Sequence, residues 1–201
     1  MIINEFGKRG VDGALVDPGA LALYEINRGS IFCSCTQAEL LTTLCTLAHD
    51  IRPEHLIMEA TGIAQPCDLE PLIKASTHGD RFDIKAVVCV VDAEQFVKTA
   101  AFMQAAVAQV QCTDGILINK IDLITAQEVD QLRQVLRSMN ARASLQETRF
   151  GAIPAGFLEE LIHIPSVKAG LDAPPSNILA VSLQTEHRVD KSRFKNIGAR
   201  L

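Results

Sequence analysis

Four short apolar runs, each closed by a polar or acidic side chain, constrain this chain more than any other feature. Met1-Ile2-Ile3 leads into Asn4-Glu5, and Leu56-Ile57-Met58 ends on Glu59. Ile84 to Val91 ends on Asp92, and Ile116-Leu117-Ile118 runs out into Asn119-Lys120-Ile121-Asp122. Apolar runs of that length read as strands buried on both faces, the strands of parallel sheets. Between them the apolar spacing turns helical. Leu40, Leu41, Leu44, Leu47 and Ala48 predict a helix from Thr36, with Thr36 as N-cap and Glu39 three residues on. Further helices are predicted from Gln65-Pro66 to Ser76, over Ala93 to Gln111 and over Ala126 to Met139. Short strands over Ala22–Ile26 and Ala143–Glu147 and a helix over Pro154–Ile162 complete the series. Such alternation predicts an α/β fold: a doubly wound, mostly parallel sheet with helices on both faces. The carboxyl ends of its strands are where such sheets bind ligands.

Composition narrows the function classes. The net charge of −5 and an aromatic content of 4% supply neither a basic stripe nor a stacking platform for nucleic acid. No apolar run reaches the ~20 residues of a membrane helix, and the N-terminus lacks a signal-peptide pattern. A cytoplasmic chain that engages neither membrane nor nucleic acid is expected. The six cysteines are irregularly spaced, so no disulfide framework is expected there, and Cys45 and Cys89 read as buried apolar side chains. Residues 1–163 should form the main domain and residues 164–176, rich in Pro and Gly, a linker. Residues 177–201 then begin a small C-terminal α+β domain, with a strand over Asn177–Leu183 and a helix over Asp190–Leu201.

Three groups of residues carry candidate chemistry. The first is Asn119-Lys120-Ile121-Asp122. The Asp122 carboxylate can accept two hydrogen bonds from the N–H edge of guanine, which adenine cannot offer. The Asn119 amide can reach a base acceptor or tie neighbouring loops together, and the Lys120 stem can lie along the ring. The second is the turn Glu59-Ala60-Thr61-Gly62. A strand-end acid can hold a magnesium-bound water, and a glycine three residues later lets a backbone N–H approach a terminal phosphate. The third is Cys33-Ser34-Cys35, two thiols able to face a soft cation, with Glu5 on the preceding loop as a further donor. A Gly-rich loop ending in Gly-Lys-Ser/Thr, whose amides cradle phosphates, is nowhere in the 201 residues. Met1-Ile2-Ile3 looks like the end of a strand, so an N-terminal truncation upstream of it is expected, with poor binding of GTP by the chain as it stands. A dinucleotide fold is disfavoured, since no Gly-x-Gly-x-x-Gly follows a strand.

In this order the motifs resemble those of the CobW-type metallochaperone GTPases, relatives of urease and hydrogenase accessory proteins. Asn4-Glu5-Phe6-Gly7 with Asp12-Gly13 resembles the family's first switch loop, and Gly29 to Cys35 falls at its cysteine element. Glu59-Ala60-Thr61-Gly62 matches its Glu-x-x-Gly turn; Val91-Asp92-Ala93, Asn119 to Asp122 and Thr148-Arg149-Phe150-Gly151 follow in register. The likeness spans residues 1 to 163. Only one of the family's three cysteine positions is kept when counted from Gly29, with Cys35 as an extra. The resemblance implies a P-loop GTPase-like fold and hydrolysis of GTP with Mg2+, coupled to delivery of zinc or cobalt to a client metalloprotein. By the same resemblance Glu59 and Gly62 would serve catalysis, Asn4, Glu5, Asn119, Lys120 and Asp122 would bind nucleotide, and Cys33, Cys35 and Glu5 the metal. The alternative is a nucleotide-independent metal-binding or protein-interaction module on the same scaffold.

Overall fold

A computed structural model of the chain describes residues 1–4, 24–26, 34–62 and 66–165. Within them lie six strands in two three-stranded sheets. In the first, β1 (Ile2–Asn4), β2 (Tyr24–Ile26) and β3 (Met58–Glu59) run in the order β2-β1-β3. In the second, β4 (Val88–Asp92), β5 (Gly115–Asn119) and β6 (Ser144–Glu147) run β4-β5-β6. Every pairing is parallel. The helices are α1 (Ser34–Thr46), α2 (Leu69–Lys74), α3 (Phe96–Phe102), α4 (Gln104–Gln111), α5 (Ala126–Met139) and α6 (Ala155–Glu160). The α/β architecture expected from the alternation is therefore present, with the parallel strands divided into two half-sheets. No helix among the described residues is long and apolar enough to cross a membrane.

Each half-sheet has its own core. Ile2 packs with Leu40 and Leu44 of α1, with Leu47 of the π-helical turn that follows it, and with Ile73 of α2. Val91, Ile116 and Ile118 pack with Phe96, Val110, Leu132 and Leu136 in the other. Ile116 and Ile118 are fully buried because β5 lies between two strands; a side chain so buried contributes ~1.5–3 kcal/mol. Helix α5 is the clearest amphipathic element. It buries Val129, Leu132 and Leu136 at helical spacing, and its bounds match the sequence prediction. Its start is fixed by a capping box in which Thr125 Oγ1 accepts from Glu128 N–H and Thr125 N–H donates to the Glu128 carboxylate. Those Thr125 donors hold the Glu128 carboxyl below its usual range.

Several expectations are corrected. Helix α1 begins at Ser34, so Thr36 lies inside its first turn rather than capping it. The predicted helix over Ala93 to Gln111 is two helices, broken where Met103 takes the extended conformation (φ −115°, ψ 101°). β4 starts at Val88, not Ile84, and β3 is reduced to Met58–Glu59. Cys45 is exposed on α1, whereas Cys89 does pack against the second core. A disulfide joins Cys67 to Cys112, with Cα atoms 5.5 Å apart. Sequence spacing could not show it, because the partners are 45 residues apart and meet only when α4 docks beside the turn preceding α2. The proposed linker beyond Pro165 and the C-terminal domain lie outside the described residues.

Candidate nucleotide site

The buried β5 surfaces at Asn119, and the chain then turns through Lys120 in the left-handed region (φ 62°, ψ 33°). A single 3-10 turn, Ile121–Leu123, presents Asp122 to solvent. Parallel register sets Asp92 beside Asn119, so two strand ends open on one edge. Lys120 Nζ donates to Asp92 Oδ2 at 2.7 Å. The other Asp92 oxygen accepts from the backbone N–H groups of Glu94 and Gln95 at 3.0 and 3.1 Å. The Lys120 hydrogen bond holds the Asp92 carboxyl below its usual range, and Asp92 in turn raises the Lys120 pKa. Sequence reasoning gave the lysine a role along the base ring. It did not see that an acid from the neighbouring strand fixes the ammonium.

Of the two roles open to the Asn119 amide, the structure shows the loop tie. Gly151 N–H donates to Asn119 Oδ1 at 3.1 Å. That loop, Thr148 to Ala152, lies over the β5 end: Thr148 N–H donates to the Ile118 carbonyl at 2.9 Å, and Thr148 Oγ1 donates to the Ala152 carbonyl. It turns through consecutive left-handed residues, Phe150 (φ 53°) and Gly151 (φ 68°). Asp122 differs from its neighbours. Among the described residues its carboxylate has no hydrogen bond or ion pair, which leaves both oxygens available.

The Glu59–Gly62 turn closes the first half-sheet. Ile3 of β1 is in register with Glu59 of β3, so the ends bearing Asn4 and Glu59 are adjacent. Glu59 is exposed, whereas Thr61 is 8% exposed. Thr61 Oγ1 is buried without a hydrogen-bond partner among the described residues, an uncommon state for a hydroxyl. A Cβ placed on Gly62 would meet nothing within 4 Å among the described residues. The Gly62 carbonyl accepts from Gln109 Nε2 at 2.9 Å. An orphaned hydroxyl beside a glycine suits an oxyanion ligand. Sequence reasoning passed over Thr61, whose side chain gains meaning only through burial.

Glu5 and Cys33 lie outside the described residues, and Cys35 is placed only by its backbone, in the first turn of α1. The described residues assemble no cluster of three or more side chains able to hold a metal ion.

The nucleotide-binding domain of the CobW/HypB/UreG proteins matches residues 1–147. The chain is 28% identical over 161 residues to the zinc chaperone YeiR of Escherichia coli, covering 79% of this chain and 48% of that protein. It is 30% identical over 190 residues to the zinc chaperone CobW of a Sinorhizobium species, covering 79% and 53%. The chain thus spans about half the length of the curated relatives it matches. Among solved structures, the Zn(II)-bound YjiA GTPase of E. coli superposes with a TM-score of 0.56 at 21% identity, over 78% of this chain and 51% of that one. At that identity the likeness shows a shared α/β fold.

Proposed function

Because this chain belongs to the CobW/HypB/UreG family of nucleotide-binding domains, we propose that its strand ends form a guanine-nucleotide site serving a metal chaperone. The observation that carries the guanine assignment is the Asp122 carboxylate, without a partner among the described residues, beside an Asn119 and a Lys120 that are each fixed by a neighbour. Asp122 accepts from the ring N–H and the amino group of guanine; Lys120, anchored on Asp92, offers its stem to the ring face. Glu59 would hold a water of Mg2+, and Gly62 N–H and Thr61 Oγ1 would face phosphate oxygens. When bound, GTP supplies the phosphoanhydride bond whose cleavage separates two states of the protein.

The cargo is zinc or cobalt, taken by Cys33 and Cys35 with Glu5, and the partner is a client metalloprotein. Zinc is supported by the names of three relatives, each a zinc chaperone. We place the protein in the cytoplasm. These 201 residues hold no Gly-Lys-Ser/Thr loop, so the proposal for this chain is recognition through the base.

Weak base recognition is best read by amide chemical shifts during titration with GTP or ATP. GTP should move the resonances of Asn119 to Asp122 and Gly151, and ATP should leave them in place. Asp122→Asn should lower GTP affinity by about tenfold or more and improve that of XTP, since a charge-assisted bond contributes ~1.5–3 kcal/mol. Equal shifts from GTP and ATP would remove the base site.

A further inference from the structure

Among the described residues the two half-sheets share no strand pairing, yet three side-chain links are seen to join them. Gln109 of α4 donates to the Gly62 carbonyl. His163, which follows α6, lies between Asp114 at 2.7 Å and Glu70 of α2 at 3.2 Å. Between these two contacts is the Cys67–Cys112 disulfide. Cys67 occupies the 3-10 turn Pro66–Asp68, just before α2, and Cys112 directly follows α4. The bond therefore joins the chain that follows the Glu-x-x-Gly turn to the chain that enters β5. It alone among the three links is covalent.

We propose that Cys67 and Cys112 form a reversible thiol–disulfide site, with small-molecule thiols and disulfides of the glutathione class as reactants, and that its closed state holds the Glu59–Gly62 turn against the β5 half. The two sulfurs differ in access. Cys112 is 5% exposed, whereas Cys67 is partly open to solvent. The two cysteines line a small cavity with Glu70 and His163. An external thiolate attacks the Cys67 sulfur, the protein S–S bond breaks and Cys112 leaves as a thiolate. A second external thiolate attacks the mixed disulfide, forming the small-molecule disulfide and releasing Cys67. Two electrons pass to the protein, and the two protons of the external thiols end on Cys67 and Cys112.

The two cysteines are 45 positions apart in sequence, so opening the bond frees a long section of chain. Only the Gln109 and His163 contacts then remain of the three links. The thiol chemistry is independent of the nucleotide site. Its relevance to phosphate sensing rests on the function proposed for Gly62, and the test below uses no nucleotide, so the two can fail separately.

The test equilibrates the purified chain in graded ratios of reduced to oxidised glutathione. Trapped thiols are mapped by peptide mass spectrometry and amide hydrogen exchange is followed in parallel. Cys67 and Cys112 should convert together, as one two-electron couple. On reduction, exchange at residues 58–62 and 69–74 should quicken by about tenfold or more, while Val129 to Leu136 in α5 stays protected. Absence of the Cys67–Cys112 bond at every ratio would overturn the proposal. So would a bond that opens without changing exchange at residues 58–62. Loss of α5 protection on reduction would also overturn it, by making the bond a staple of the whole fold. The Cys67→Ser variant should reproduce the reduced pattern at every glutathione ratio; an oxidised-like pattern in that variant would equally refute it.

Discussion

Asn140 joins more of this molecule than any other single polar side chain described. It is 5% exposed at the end of α5. Its Nδ2 donates to the carbonyls of Val110 and Thr113 at 2.8 and 2.9 Å, and its Oδ1 accepts from the N–H groups of Arg142 and Ala143, both at 3.1 Å. One amide thus ties the end of α4, the approach to β5 and the approach to β6. Asn140→Ala would strand Val110 O, Thr113 O and Ala143 N in buried positions, while Arg142 N can turn to water. At ~1 kcal/mol for each stranded group, the lower end of the usual range, the loss is about 3 kcal/mol. In a domain of this size that corresponds to roughly 6–12 °C in Tm. The assay is urea unfolding under non-reducing conditions, followed by circular dichroism, with the loss appearing as a lower midpoint at constant slope. Asn140→Asp is a stricter companion. Its second oxygen would face the two carbonyls, so the variant should be less stable than Asn140→Ala at neutral pH. It should recover as pH falls toward ~4, where the substituted carboxyl takes up a proton and can donate. A loss below about 1 kcal/mol for Asn140→Ala, the scale of an ordinary surface change, would refute this account.

Two further outcomes are expected. Burial alone would lower the His163 pKa, but the hydrogen bonds and charges of Asp114 and Glu70 outweigh it and raise it net. The stability from this link is therefore complete below the unfolded imidazole value of ~6.5 and is lost as pH rises through the raised folded value. Urea midpoints of the parent should fall across that window and those of His163→Gln should not; parallel pH profiles would contradict the assignment. Iodoacetamide should alkylate Cys45 in the native protein and spare Cys89, whose half-buried thiol is pushed up by desolvation to about 11. Peptide mapping before and after denaturation reads both sites, and native labelling of Cys89 at the rate of Cys45 would show that β4 is not packed as described.

What the sequence determined by itself was local and periodic. Apolar runs closed by Asn4, Glu59, Asp92 and Asn119 identified parallel strands with polar residues at their carboxyl ends, because alternating short strands and helices have few other ways to bury apolar surface. The α5 bounds were legible from helical spacing for the same reason. The place of Asp122 on an exposed turn just after a strand was legible too, because it follows from the local apolar-to-polar pattern. What only the tertiary structure decided was pairing across long separations. Lys120 meets Asp92 because β4 and β5 are in register. Asn119 holds Gly151 because the loop after β6 folds over the β5 end. The same holds for Cys67 with Cys112, for His163 between Asp114 and Glu70, and for the buried hydroxyl of Thr61. None of these partners is close along the chain, and no periodicity encodes them. They become neighbours only when packing fixes strand order and register, and so the residues came from the sequence and their contacts from the fold.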